Sequence, residues 1–425
     1  MRYISRVVDR ELDELFPYVP AVALDGPKFV GKTTTAQQRA KTVLRMDNPL
    51  TQESVAADPF NAVLYETPPL LIDEWQKVPP VWDAVRRAVD DAPTREGRYL
   101  LTGSATPHSE ATSHSGAGRI LRLRMRPMTL SERGVGSADI SLSQLLYEAP
   151  LSLNGRSSVT FQDYIHELCR SGFPDIRTAN ERQLRNELRS YMQNVVDRDL
   201  PELGQDIRRR DVLLDWLRSY ALCSATTAAY KKIIELATPG EADPPARDTL
   251  DKYRDLLRQI WILDPVDAWH PYGASLGRLY TGPKHHLADP ALAAHLLQLT
   301  PHKLLHGEVQ ALNPPYGSIL GNLFESLATL SVRVFAQAAE ADVRHLRTRN
   351  GDHEVDLILE GHDGSLLAFE VKAAGNVTDK DVKHLRWLKE RLGERLTDAI
   401  VLTTGEGAYR RDDGIGVLPL AMLGP

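Results

Sequence analysis

The chain has 425 residues, 42% hydrophobic and 25% charged, with a formal net charge of −6. That length exceeds one ordinary core, predicting roughly two to four domains, and the charge excludes a chain coated with basic surface for nucleic acid, local patches aside. Cys169 and Cys223 make neither a metal spacing nor a disulfide framework, MRYISRVVDRELDELF lacks the apolar core of a signal peptide, and no apolar run approaches the roughly 18 residues of a spanning helix. A cytoplasmic protein without a membrane partner is therefore expected.

Over the first 135 or so residues, short apolar runs alternate with amphipathic stretches, the rhythm of an α/β domain with a parallel sheet. AVALD (21–25), VLRMD (43–47), PLLIDE (69–74), RYLLTG (98–103) and RILRLRM (119–125) are predicted strands. SATPHSEATSHSGAG, between the last two, is a mobile loop by composition. From about 140 to 240 the periodicity turns helical, as in LRNELRSYMQNVVDRDLPEL and RDVLLDWLRSYALC. A turn-rich break at 238–246 precedes RDTLDKYRDLLRQIWILDPV, a helix running into a strand, and 270–290 suggests a two-stranded element. Residues 300–425 return to mixed α/β, opening on the helix SILGNLFESLATLSVRVFAQA.

Gly26-Pro27-Lys28-Phe29-Val30-Gly31-Lys32-Thr33 fits G-x-x-x-x-G-K-[ST], with an apolar strand before it and a Thr-rich helix from Thr34 after it. Glycines let backbone N–H groups turn onto phosphates, Lys32 reaches the β and γ oxygens of ATP, and the Thr33 hydroxyl ligates Mg²⁺. PPLLIDEWQ delivers Asp73 and Glu74 to the sheet's C-terminal edge, Asp73 for the Mg²⁺ shell and Glu74 for the attacking water. An acidic pair capping the next helix is the plainer alternative. RYLLTGSA would lie between those two strands, offering Thr102 or Ser104 to the γ-phosphate or the water, although Thr-Gly-Ser is also turn chemistry. Arg119 could bring a cation to the phosphates, from its own subunit or a neighbour, or simply be solvated; oligomeric state is left open.

These motifs and later ones resemble the bacterial and archaeal AAA-type ATPases that join an ATPase core to a C-terminal domain of unknown function. The matching pieces run in order over nearly the whole chain: GPKFVGKTT, LLIDEWQKVP, LLTGSA, GRILRLRMRPMTLSE, SGFP, VVDRDLPEL, KHHLADPAL, GNLFESL and HEVDLIL…AFEVKA. Where that family often carries two glycines, this chain has Ser171-Gly172, which alters the turn. The resemblance implies a P-loop ATPase core (1–135), a helical lid (136–205), a winged-helix-like part (206–298) and a C-terminal α/β domain (299–425). Residues 206–258 allow three short helices, with the 270–290 element as wing. In the third helix Arg247, Lys252, Arg254 and Arg258 alternate with Asp248, Asp251 and Asp255, poor chemistry for phosphates, so packing competes with DNA binding. Arg208, Arg209 and Arg210 form the best basic cluster.

Glu325 lies on an amphipathic helix, Asp356 ends the alternation of HEVDLIL, and Glu370 and Lys372 stand two apart, so a strand projects them to one face. Three carboxylates and a lysine could hold Mg²⁺ or Mn²⁺ and a water aimed at a phosphodiester. EVD and EVK resemble the PD-(D/E)xK nuclease fold, in which a helical glutamate often joins the site. E-x-K alone arises by chance, and a plain Glu370–Lys372 ion pair is the alternative. His285 and His286, adjacent and so facing opposite ways on a strand, read as structural rather than as metal ligands. Two functions stay open: an ATPase switching a nuclease-like module on DNA, or a nucleotide-gated regulator of a protein partner whose C-terminal domain is inert.

Overall fold

Four- and five-residue apolar runs, too short for helices, form buried strands in the computed structural model. It describes every residue except 1–2, 93–95, 106–116, 149, 204–208, 239–246, 271–275, 277–278, 310–311, 313 and 315–316, and excludes the side chains of 247 and 248. Most of the serine-rich loop, Arg208, the Arg247 side chain and most of the 270–278 stretch therefore lie outside the described residues.

β1 (Ala21–Asp25), β2 (Thr42–Arg45), β3 (Leu70–Asp73), β4 (Tyr99–Gly103) and β5 (Ile120–Arg124) make an all-parallel sheet in the order β2-β3-β4-β1-β5. β4 lies between β1 and β3, as predicted. Every residue of β1, β3 and β4 is buried, as a parallel sheet covered on both faces requires. β6 (Ile140–Ser141) leads into helices over Phe161–Arg170, Glu181–Asn194, Arg210–Leu222, Tyr230–Ala237 and Arg247–Gln259. A π-helical turn at Val195–Asp199 interrupts the predicted long helix.

The Ile319–Ala338 helix precedes a six-stranded mixed sheet: β7 (Ala341–Arg347), β8 (Glu354–Gly361), β9 (Leu366–Lys372), β10 (Leu396–Thr403), β11 (Tyr409–Arg410) and β12 (Gly416–Pro419), in the order β11-β12-β10-β9-β8-β7. β13 (Leu423–Gly424) pairs with β6, tying the C-terminal residues to the segment that follows the first sheet. The Lys383–Leu392 helix lies between β9 and β10 in the chain, so the domain runs helix, three antiparallel strands, helix, parallel strand. The Ile319–Ala338 helix is long and apolar enough to cross a membrane by length and composition, contrary to the sequence expectation. It is mostly buried, packed on β7, β9 and the Val7–Leu15 helix, so its apolarity is that of a core helix.

The segment expected to form a wing is placed differently. Leu263 bridges Leu287, Val266 bridges Lys284, Ala268 bridges His345 and Leu279 bridges Thr348. The described residues of 263–287 thus pair with one another and with the edge of β7, rather than standing out over a groove.

Candidate functional site

The loop after β1 is set by close packing. A Cβ on Gly26 would meet the Met125 carbonyl oxygen at 2.1 Å, and Gly31 has φ +103, conformation that favours glycine. Lys32 is buried, and its Nζ donates to the Gly26 and Pro27 carbonyls at 2.8 Å each. Burial pushes its ammonium down to about 8, against the pull of Glu74, Asp25 and Asp73.

Thr33 Oγ1 and Thr102 Oγ1 both donate to Asp73 Oδ1 at 2.6 Å. Thr102 is wholly buried behind that carboxylate, so its place is support of Asp73, and Ser104 is nearly as buried. Ser104 Oγ donates to Glu74 Oε2 at 3.0 Å and Gln76 Nε2 also reaches that oxygen. Glu74 itself sits at φ +55, a strained backbone for a glutamate at a strand end. The hydroxyl and carboxylate oxygens of Thr33 and Asp73 are a hard donor set that fits Mg²⁺. Beside them a cavity of about 570 Å³ takes in Gly31, Lys32, Thr33, Thr34 and Glu74, with Ile4, Met125, Met128 and Pro174 as apolar walls.

Several residues that hold this loop were not singled out from sequence. Arg6 Nη1 donates to the Val30 carbonyl at 2.8 Å, while Glu132 accepts from Arg6 Nε at 3.0 Å and from the amides of Val7 and Thr129. RPMTLSE, noticed only as a resemblance, is thus the clamp that presents Arg6. Lys28 Nζ pairs with Asp199 at 2.6 Å in the π-helical turn, and the exposed Phe29 ring meets Tyr191 edge-on at 6.0 Å. Ser171, at φ +66 where the family often has glycine, donates its hydroxyl to the buried Asp289 at 2.8 Å, which also holds the Gly172 amide.

Arg119 requires correction. β5 runs parallel to β1 with Ile120 opposite Ala21, so Arg119 lies at the start of the strand, about 16 Å from the phosphate-loop end. It pairs with Asp90 at 2.9 Å and cannot serve its own subunit's nucleotide. The arginines at the functional end are Arg122, paired with Asp25 at 2.7 Å, and Arg124. Arg124, Arg126 and Arg333 converge on the buried Asp264 at 3.0, 2.9 and 2.8 Å, joining sheet, middle segment and the Ile319–Ala338 helix. Burial alone would raise Asp264, but the three guanidinium groups outweigh it and hold the carboxyl well below the usual range.

In the middle region, Arg254 pairs with Asp251 and Asp255 and lies over the Tyr230 ring, so it packs. Arg210 pairs with Asp197. His285 Nε2 meets the Ala228 carbonyl at 2.7 Å and His286 Nδ1 meets Ser326 Oγ at 3.0 Å, each buried in a different neighbourhood.

At the C-terminal cluster, Lys372 Nζ pairs with Glu370 at 3.1 Å, and Asp356 Oδ2 accepts from the Val371 amide at 2.9 Å. The cation between the acids is one the sequence reading passed over. Lys284 Nζ lies 2.7 Å from Glu325, 2.9 Å from Asp356 and 3.5 Å from Glu354, at 1% side-chain exposure. Burial opposes its charge, but Asp356, Glu325 and Glu354 outweigh burial and raise it well above the usual lysine range. Among the described residues no group of three His, Cys, Asp or Glu is arranged to hold a metal. Glu325, Asp356 and Glu370 therefore do not present the ligand set expected of them, because an ammonium neutralises the first two. Burial, then the facing Asp356, pushes Glu370 well above the usual carboxylate range.

Residues 19–133 match a family model described as an AAA domain, 161–303 one described as Domain of unknown function (DUF8612), and 320–423 one described as Domain of unknown function (DUF4143). Two curated relatives, Uncharacterized protein Rv2008c of Mycobacterium tuberculosis and Uncharacterized protein Mb2031c of Mycobacterium bovis, are each 26% identical over 361 residues, 83% of this chain and 70% of theirs. Among solved structures, a Walker-type ATPase of Pyrococcus abyssi is similar over 69% of this chain and 96% of its own, at 14% identity and TM-score 0.40. The ORC2 protein of Aeropyrum pernix covers 71% and 93%, at 15% identity and TM-score 0.30. With its phosphate loop, its Asp-Glu strand and that family match on the same sheet, the N-terminal part of the chain is an AAA-type P-loop ATPase domain.

Proposed function

We propose that the protein is a magnesium-dependent ATP hydrolase whose nucleotide state governs how its middle and C-terminal parts meet a protein partner. The convergence of Thr33 and Thr102 on Asp73, beside Lys32 and Glu74, carries the first half. Lys32 would leave the two loop carbonyls for the β and γ oxygens, and the apolar walls would take the base. Glu74, aimed by Ser104 and Gln76, would draw the proton from a water attacking the γ phosphorus as the bond to the bridging oxygen breaks. Bound Mg²⁺ would neutralise phosphate charge from the side of Thr33 and Asp73. A role for Arg119 at a neighbour's nucleotide, in an assembly of copies, belongs to this proposal. A cytoplasmic location belongs to this proposal.

The regulatory half is supported by Lys284, which closes the C-terminal acids, and by the 263–287 segment lying along β7. The second reading, an enzyme on DNA, is favoured by the assembly of Glu325, Asp356, Glu370 and Lys372 in one place on a helix-and-sheet frame like that of PD-(D/E)xK nucleases. ATP turnover that survives Lys32→Ala or Glu74→Gln would remove the first half. A stoichiometric protein captured by the full chain and released by ATP supports regulation, whereas plasmid nicking in Mn²⁺ that is lost in Glu370→Gln supports the enzyme.

A further inference from the structure

Lys28, the third residue of the phosphate loop, stands between two cavities. It lines the one at Lys32, Thr33 and Glu74, and a second of about 680 Å³ that takes in Gln76, Ser104, Tyr191 and Asp199. Gln76 and Ser104 are the two residues that hold Glu74, so Lys28 lies at the end of the nucleotide cavity where a γ-phosphate meets the attacking water. Its ammonium is held from the other side, by Asp199 at 2.6 Å and the more exposed Glu202 at 3.6 Å. Asp199 closes the π-helical turn Val195–Asp199, a rare geometry frequent at functional sites, and keeps only 10% side-chain exposure. In the helix before that turn, Tyr191 donates its hydroxyl to the Lys28 carbonyl at 3.4 Å.

We propose that Lys28 is a latch answering to the γ-phosphate: the γ oxygens of ATP draw its ammonium away from Asp199, and the π-helical turn is released. The charges favour that exchange. Burial opposes the charge of Lys28, but Asp199, then Glu202 and Glu74, outweigh burial and raise it above the ordinary lysine value. It therefore stays a cation for either anion. Burial already raises Asp199 above the ordinary carboxylate value with Lys28 beside it. Once the ammonium turns to phosphate, that carboxylate is left buried with Glu202 and Glu74 as like-charged neighbours, which drives it toward water. The flexible lysine stem lets one cation serve either partner without moving the loop. ADP lacks the γ oxygens and leaves the latch closed. Such a latch rests on the reading of the chain as an ATP hydrolase, and names the contact through which its nucleotide state reaches the middle part.

The test uses the full chain in Mg²⁺, with ADP or the non-hydrolysable analogue AMP-PNP as probe, followed by hydrogen exchange and isothermal titration. AMP-PNP should speed exchange at the amides of residues 195–203 about fivefold or more over ADP, and Lys28→Met should exchange there equally fast with either. The affinities should move in opposite senses. Lys28→Met should weaken AMP-PNP about tenfold, the worth of one charge-assisted bond, with ADP changed less than about twofold. Asp199→Asn, which removes the competitor, should tighten AMP-PNP relative to ADP. Equal exchange with the two nucleotides, or an AMP-PNP preference that Lys28→Met leaves unchanged, overturns the latch while ATP hydrolysis stands. An unaltered chain that binds neither nucleotide overturns both. Where Lys28→Met does not fold, Asp199→Asn decides, and an unchanged preference for AMP-PNP in that variant counts against the latch.

Discussion

Replacing Asp264 with Asn removes the single anion on which Arg124, Arg126 and Arg333 converge. Each guanidinium contact is 2.8–3.0 Å, and Asp264 and Arg126 keep only 7% and 8% side-chain exposure. Three charge-assisted bonds of about 1.5–3 kcal/mol each cannot simply be summed, since they share one carboxylate. Breaking a buried pair from one side costs about 3–5 kcal/mol, and three stranded cations place Asp264→Asn at the upper end. Arg124 has a further reason to suffer, since burial beside Arg126 and Arg333 already pushes it down to about 9 even with Asp264 present. Calorimetry should show an early transition for the junction, and limited proteolysis should open the chain near residues 261–267. Asp215→Asn, which breaks an exposed pair with Arg218, is the control and should cost under about 1 kcal/mol. An Asp264 variant no less stable than the Asp215 variant would refute the idea that this carboxylate joins the three parts.

Thr102→Val keeps the shape but deletes the donor to Asp73. It should lower kcat for ATP about 10- to 100-fold, equal to roughly 1.4–2.7 kcal/mol, with KM changed less than about twofold; an unchanged kcat sinks the supporting role. Asp199→Asn removes the 2.6 Å partner of Lys28, leaves it only the more exposed Glu202 at 3.6 Å, and should speed hydrogen exchange in the phosphate loop without abolishing ATP binding. Acid should loosen the seam between the middle segment and β7. Burial lowers His285 to about 4 and His345 to about 3, so both fold neutral and the unfolded chain binds the extra protons. Their contribution is complete above pH 6.5 and fades as pH falls toward those values, about 1.4 kcal/mol each by pH 5.5. Chemical denaturation midpoints flat between pH 7 and 5.5 would contradict this.

The strands of the first sheet were legible because each is an apolar run ending in punctuation, and the phosphate loop because its spacing is demanded by the chemistry. Arg119 was misplaced for a physical reason. Sequence proximity to a functional loop says nothing about which end of a parallel strand a residue occupies, and residue 119 precedes β5 while Met125 follows it. Lys284 was invisible for a different one. A lysine beside two histidines reads as solvated, and only the meeting of residues 284, 325 and 356, far apart in the chain, makes it a buried cation. Arg6 and Glu132 share that difficulty, being 126 positions apart. The described residues of the expected wing find partners that a local reading does not supply, in residues 263–268 and at the edge of β7.

The two buried charge clusters grip one segment from opposite ends. Asp264 holds it to the ATPase sheet, where Arg124 lies opposite Asp25 at the mouth of the phosphate loop. Lys284 holds it to the C-terminal acids, and the Leu263–Leu287 and Val266–Lys284 bridges bind the two ends to each other. The Ile319–Ala338 helix closes the circuit, since Glu325 and Arg333 stand eight residues, about 12 Å, apart on it. A route from nucleotide to C-terminal cluster then requires coupling between Asp264 and Lys284, which a double-mutant cycle measures. Asp264→Asn and Lys284→Met should lose stability jointly by at least about 0.5 kcal/mol less than the sum of the separate losses, because either change alone releases the shared segment. Strict additivity would mean that the two clusters anchor independent pieces, and that nucleotide exchange at Lys32 has no path through this segment.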